Sequence, residues 1–502
     1  MPSSLKKLIG FITFGSFFFA VAYFSHMNTV FQYDTDEGLF LIRAFLHAHG
    51  FLLYKEIRMD DPPFLVLLLS TIIKHISSSV YFARLLILFF STLLLGNLFR
   101  IIYRTQNSLS ALFTIGLLIL SPNYLRLSVS VMPGLPAIAL AISSIFYLIP
   151  YQNTHQKRYL FFSGCLFALA LQIKLFVFVL LPGVAIELIL IESKKLKSDK
   201  IYAQFLSVIL WWIVSFTLVY FFMSFILTSV DYSQLLQPYW KMRKPGILND
   251  LRGFLTIKGW LLGQYDIVLL ALGGLVFLKN HKRKFFILPL ISFIFGAFIL
   301  CIHSPVWYHH QLLLSVPLCW LASFGVYALF DKEIWLGRNL KSMLNRIKDG
   351  VGIVFLSGVL VLVIIRIPLR YAAMVQQMNA PSPQEYDHVL DLMKKYSGQT
   401  HLVVTDSPLF AYYAKLPVPP RLATVSWKLL AAKILTSKDM IDIIRKEKPE
   451  LVLFARFPGL HKEIAPYLKD KYNLLYQEDN NSFVRLYILN IVHLETTTPQ
   501  KP

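Results

Sequence analysis

The chain has 502 residues, of which 56% are hydrophobic, 15% aromatic and 15% charged, and its mean hydropathy is +0.57. That balance excludes an ordinary soluble protein. The net charge of +21 suggests nucleic acid at first sight. However, the basic residues lie mostly in short clusters between apolar runs, so membrane topology explains much of the charge and no nucleic-acid partner is expected.

Lys6 and Lys7 precede the first apolar run, and no small-residue cleavage site follows it. This reads as a retained span rather than a signal peptide. Apolar runs long enough for a ~30 Å hydrocarbon core then recur. Hydropathy gives about eleven spans, near 8–24, 80–103, 108–123, 131–150, 159–174, 175–191, 204–227, 263–279, 285–302, 308–330 and 351–369. The fold class expected is therefore an α-helical polytopic membrane protein with a large first outer loop, 25–79, and a small C-terminal α/β domain. Lys6/Lys7, Arg100/Arg104, Lys157/Arg158, Lys194 to Lys200, Lys279 to Lys284 and Lys332 to Lys348 fall on one side, which the basic bias makes cytoplasmic. The first loop, Met132 to Pro136, segment 228–262 and the turn His303 to His310 share the other.

The first loop carries Asp34, Asp36 and Glu37, then Asp60-Asp61-Pro62-Pro63. Acids favour the first turn of a helix, and Leu39 to His47 has helical character, so Asp34 or Asp36 as a cap is one reading. The other is a base that deprotonates an acceptor hydroxyl or amine during group transfer. Asp60 and Asp61 are either a turn that sets the next helix or, with Asp34, a second acidic wall. Segment 63–79 is apolar but short and interrupted by Lys74 and His75, which suits a juxtamembrane helix.

Lys174 interrupts the apolar stretch Leu166 to Pro182 near the outer end of a span. A lysine there either snorkels or holds a lipid phosphate. Trp240-Lys241-Met242-Arg243-Lys244 offers a second phosphate site, through Arg243 and Lys244, or simple attraction to anionic headgroups. His309 and His310 open the tenth span without a third metal ligand at matching spacing. They are hydrogen-bond donors or phosphate ligands. The three cysteines, Cys165, Cys301 and Cys319, lie in apolar segments without metal-ligand spacing, and no disulfide framework is expected.

After about residue 370 the composition turns mixed. Gln384 to Tyr396 and Lys438 to Lys446 read as helices. His401 to Thr405, Leu451 to Phe454, Tyr472 to Gln477 and Phe483 to Leu489 read as strands, the last two a hairpin. The expected division is 1–370 as the transmembrane domain and 371–502 as an extracytoplasmic α/β domain.

Several short motifs, in order and on one side, resemble those of the integral-membrane glycosyltransferases of the C superfamily, in the bacterial branch similar to protein O-mannosyltransferases and lipid A aminoarabinose transferases. They are Asp36-Glu37-Gly38, Ala44 to Gly50 with Tyr54, Pro62-Pro63, Ala83-Arg84-Leu85, Val131 to Pro136, Gln172-Ile173-Lys174, Tyr308-His309-His310, Val404 to Pro408 and Pro417 to Pro420. The resemblance implies a polyprenyl-phosphate sugar as donor and transfer on the outer face, in a bacterial inner membrane. The acceptor is a glycan, lipid or protein. Asp36, beside Glu37, is implied as the base, with inversion at the sugar.

Where many relatives carry a lysine before the first proline of Pro62-Pro63, this chain has Asp61. Either phosphate binding then falls to Lys174, the 240–244 loop, or His309 and His310, or the donor differs, or the chain is a weakly active or inactive member. A divalent metal is not required, although Asp34, Asp36 and Asp60 could assemble a site. The competing reading is a lipid or polysaccharide transporter, or a membrane scaffold. It is disfavoured because the apolar cores are nearly free of charge and the polar clusters gather at one face.

Overall fold

The structure is a computed structural model that describes residues 3–193, 201–242, 252–277, 285–303, 305–330, 343–378, 384–479 and 483–490. It divides into two compact units. One comprises residues 1–27, 84–227 and 245–380; the other comprises 28–83, 228–244 and 381–502.

The first unit is helical. Among the described residues, six helices are long and apolar enough to cross a bilayer: Val80–Thr105, Gly134–Thr154, Leu175–Ser193, Val208–Leu227, Tyr308–Phe330 and Gly350–Met378. Each coincides with an expected span. Of the remaining expected spans, 8–24 lies within the 22-residue helix Ser3–Phe24, and the others are shorter helices. The helix Ser108–Ile119 has 12 residues, about 18 Å at the usual rise. Ser121-Pro122 ends that apolar run before the short helix Tyr124–Val129. The span expected at 263–279 is the helix Tyr265–Phe277, which follows Arg252–Gly263, from the expected outer segment, at a bend of 81°. Arg366 donates to the Gly263 carbonyl there, at 2.9 Å, satisfying an acceptor that the break frees.

Helices in this unit approach each other through small residues, as lipid-embedded bundles require. A Cβ on Gly274 would lie 2.5 Å from the Gly325 nitrogen, and one on Gly325 would lie 2.3 Å from the Leu270 carbonyl oxygen. Ser144 donates to the Ser163 carbonyl at 2.7 Å, and Trp212 donates to the Ser163 hydroxyl at 3.0 Å. Cys165, Cys301 and Cys319 are free thiols.

The second unit is a small α/β body. Strands β1 (Val403–Thr405), β2 (Leu451–Phe454), β3 (Tyr472–Glu478) and β4 (Val484–Leu489) form one sheet of order β1-β2-β4-β3. β1 and β2 are parallel, and β4 runs antiparallel to both neighbours. β1 and β2 are buried along their whole length, so they read as unbroken apolar runs rather than alternating ones. The helices Ser437–Glu447 and Pro458–Lys469 pack Met440, Ile444, Leu460, Ile464 and Leu468 against Val404, Val452 and Phe454.

The first loop belongs to this unit. Its helix Glu37–Ala48 buries ten consecutive residues, Glu37 to Leu46. Gly50, at φ 100°, turns the chain after that helix, a backbone conformation that favours glycine. The helix Phe64–His75 has 12 residues and starts directly after Pro63, whose fixed φ suits a helix entry.

Candidate active site

The acidic cluster is sorted by its backbone. The Asp34 carboxylate accepts the Asp36 N–H at 2.7 Å, a local turn that short acids favour. Glu37 is fully buried, and its carboxylate accepts the Tyr33 N–H at 2.8 Å. Asp36 stands at the N-cap position of Glu37–Ala48 but makes no capping bond with its side chain. Its carboxylate faces Arg456 instead, at 2.6 Å from Nη2, and the side chain stays 31% exposed. Arg456 also reaches the carbonyl and hydroxyl oxygens of Thr35, at 3.3 and 3.4 Å.

Arg456 is placed by a buried acid. Asp406 is fully buried and accepts three consecutive backbone N–H groups, from Ala455, Arg456 and Phe457, at 2.8, 3.2 and 2.7 Å. Burial raises its carboxyl to about 6, against the opposing pull of those bonds and of the Arg456 charge. On the other side of the cluster the fit depends on a missing side chain. A Cβ on Gly38 would meet the Leu409 nitrogen at 2.4 Å. Asp36-Glu37-Gly38 and Thr405 to Pro408 are therefore two halves of one packed element.

Asp60 has a different environment. Its two oxygens are taken by Arg43 at 2.6 Å and Lys428 at 3.0 Å. Arg43 is fully buried and also donates to the Thr424 hydroxyl at 2.9 Å. That hydroxyl donates to the Arg58 carbonyl at 2.6 Å. Burial would raise the Asp60 carboxyl, but Lys428 and Arg43 outweigh it and hold the group well below the usual carboxylate range. Burial would likewise lower the Lys428 ammonium, but Asp60, then Tyr239 and Asp61, push it well above the ordinary lysine value. Asp61 lies 3.9 Å from Arg43, and its carbonyl accepts the Tyr54 hydroxyl at 3.0 Å. Asp34, Asp36 and Asp60 do not form a metal-ligand group: among the described residues no set of three or more His, Cys, Asp or Glu side chains could hold an ion.

Among the basic candidates of the first unit, the histidines gather around one ring. Lys174 sits at a break, in extended backbone between the helix Lys157–Leu171 and the 3-10 turn Leu175–Leu180. Two residues on, the Phe176 ring packs on His303 and His310, with centroids 4.9 and 5.1 Å apart. His309 and His310 lie in the turn Tyr308–Gln311, their rings 4.5 Å apart. His310 is buried, and its Nδ1 faces the Trp307 N–H at 3.3 Å. Arg126 lies over the Tyr308 ring at 4.7 Å. Arg243 and Lys244 lie outside the described residues.

Sequence reading missed four cations: Arg43, Lys428 and Arg456 beside the acids, and Arg126 beside the histidines. One carried a local signal. Arg43 is the single charge within Leu39 to Ala48, and a lone cation in an apolar helix implies a buried partner. Arg456 and Lys428 carry none, because their partners are hundreds of residues away.

Residues 60–220 match the family model of dolichyl-phosphate-mannose-protein mannosyltransferases. Over that stretch the chain is similar to a family of glycosyltransferases. The fold is that of ArnT from Cupriavidus metallidurans. The apo crystal structure of that protein superposes with a TM-score of 0.61 at 11% identity, covering 97% of this chain and 98% of that one. ArnT bound to undecaprenyl phosphate gives 0.60 at 14% identity, over 95% and 97%. No curated protein matches by sequence.

Proposed function

We propose that the protein transfers a sugar from a polyprenyl-phosphate donor to an acceptor at the extracytoplasmic face of a bacterial inner membrane, with Asp36 as the general base. One observation carries the assignment of the base. Of the five acids singled out in the first loop, Asp34, Glu37, Asp60 and Asp61 are buried and Asp36 is not. A base must reach its proton within hydrogen-bond distance, so an accessible carboxylate on a braced backbone suits the task. Glu37 and Asp34 then act as positioning residues through the Tyr33 and Asp36 N–H groups.

The donor side supports the same chemistry. Sugar transfer from a lipid phosphate leaves negative charge on the departing phosphate, which fixed cations and N–H donors stabilise. Lys174 and His309, with Arg126 over the neighbouring Tyr308 ring, are the proposed ligands, and His310 orients the turn. ArnT has been seen with undecaprenyl phosphate bound, which supports a lipid phosphate as the donor's anchor here. Asp36 takes the acceptor's proton as the acceptor oxygen or nitrogen attacks the anomeric carbon. The carbon–phosphate oxygen bond breaks with inversion, and polyprenyl phosphate leaves.

The extracytoplasmic orientation is supported by the basic clusters that alternate with the candidate residues along the chain. The test is transfer of radiolabelled sugar from a polyprenyl-phosphate donor by purified Asp36→Asn protein. We expect a loss of about 10²–10⁴-fold, and undiminished transfer would refute the base.

A further inference from the structure

The bend between Arg252–Gly263 and Tyr265–Phe277 contains charge that the catalytic reading does not use. Asp266 is fully buried at the start of the second helix, and one of its oxygens accepts both Arg366, at 2.9 Å, and Arg370, at 2.8 Å. Two guanidinium groups thus share one acid, leaving one uncompensated positive charge at a site where charge is costly. Arg370 is 8% exposed. Its Nη2 is satisfied by Asp266 and by the Gln264 side-chain oxygen at 3.2 Å, but its Nε and Nη1 have no acceptor among the described residues.

Arg370 and Arg366 line a pocket of about 200 Å³ together with Ser121, Gln264, Leu369 and Gln377, among others. Its lining holds two arginines and no acid. The volume is below the ~300 Å³ that drug-sized ligands need, and it suits a single small anionic group. Guanidinium groups match oxyanions with several acceptor oxygens, above all phosphate. Leu369, at the pocket wall, is 68% exposed and continues into Ile365 and Val361, 65% and 54% exposed. These lie about one and two turns back along the helix, on its outward stripe. A phosphate in the pocket would have a hydrocarbon-facing track beside it.

We propose that this pocket binds the phosphate of a membrane lipid, with Arg370 and Arg366 as its ligands and the acyl or prenyl chain along Leu369, Ile365 and Val361. The inference is independent of the role given to Asp36, because it is read by binding rather than by transfer.

The experiment uses the full chain in detergent, titrated with phosphatidic acid, phosphatidylcholine or inorganic phosphate, with bound lipid counted by native mass spectrometry and stability followed as Tm. Phosphatidic acid should raise Tm and remain bound, whereas phosphatidylcholine and inorganic phosphate should not. Arg370→Gln should weaken retention about tenfold or more, the loss expected for hydrogen bonds to a charged group. Leu369→Glu, an exposed change that leaves the arginines in place, should do so without lowering the lipid-free Tm. Equal retention of phosphatidic acid by wild type and both variants would overturn the site. A response to inorganic phosphate as large as that to phosphatidic acid would overturn the lipid assignment.

Discussion

Asp36 and Asp60 lie in the same loop, are both paired to cations from the C-terminal region, and have opposite physical situations. Asp60 is 3% exposed with a cation on each oxygen. Asp36 is 31% exposed with Arg456 on one oxygen. A carboxylate between two charges in the interior is a structural strut, costly to break and held ionised across the working range. One at the edge, braced through the backbone, stays open to an acceptor. The number of acids in the loop is therefore a poor guide to its chemistry; what separates them is which side chains of the tail reach each one.

Paired substitutions give the sharpest break. Asp36→Asn should remove transfer while leaving Tm unchanged. Asp60→Asn should do the reverse. It leaves Arg43 and Lys428 without their counter-charge, at a cost of about 3–5 kcal/mol, and transfer should fall only as folded protein is lost. Thermal unfolding and single-turnover transfer on the same preparations separate the two. If Asp60→Asn proved as stable as wild type and inactive, the roles would have to be exchanged.

Two buried acids of the second unit, Asp60 and Asp406, also differ in the sign of their pH dependence. Asp60 is held below its unfolded value, so its stabilisation is present above about pH 4 and lost as pH falls further. Asp406 is raised to about 6, so the folded state binds the extra proton between about pH 4 and 6. Stability from that group therefore falls as pH rises through this window, by on the order of 3 kcal/mol. Asp406→Asn should flatten the slope between pH 4 and 6 and leave the acid limb below pH 4 intact. Hydrogen exchange of the Ala455 to Phe457 amides should accelerate, since an amide side chain keeps one acceptor oxygen where the carboxylate has two.

Much of this was legible in the sequence, and the boundary of what was not has a physical cause. Period and hydropathy expose any element that repeats along the chain, so the six long helices and all four strands lie where the pattern puts them. The span read as 108–123 was overcounted in length because hydropathy averages across Ser121-Pro122, where the helix Ser108–Ile119 has already ended. Asp36 was reachable through its motif. Its partner was not: Arg456 is separated from it by 420 positions, and Arg43 from Thr424 by 381. The composition of the tail likewise gave no sign that it shares a compact unit with the first loop.

Gly38 tests that shared packing more gently. Its missing side chain lets the Leu409 backbone approach, and that backbone cannot retreat as the end of a flexible side chain would. Gly38→Ala should cost about 1–3 kcal/mol, the usual range for overpacking. Because the helix carrying it begins at Glu37, transfer should fall as well. A variant of wild-type stability and activity would mean the two segments are not held in contact.

The smallest effect expected is at Arg456, and it bears most directly on how Asp36 works. The guanidinium could serve Asp36 by fixing its side chain or could oppose it by occupying the oxygen that must accept the proton. If it positions the base, Arg456→Gln should lower kcat/KM about tenfold, equivalent to roughly 1.4 kcal/mol, with Arg456→Lys recovering part of the loss. If it occupies the base, the same change should raise kcat/KM. The structure favours positioning: Arg456 is itself held by the Asp406 turn and by Thr35, and an anchored cation organises a carboxylate instead of merely covering it. Steady-state transfer by the two variants, with the acceptor varied at saturating donor, distinguishes the cases by sign.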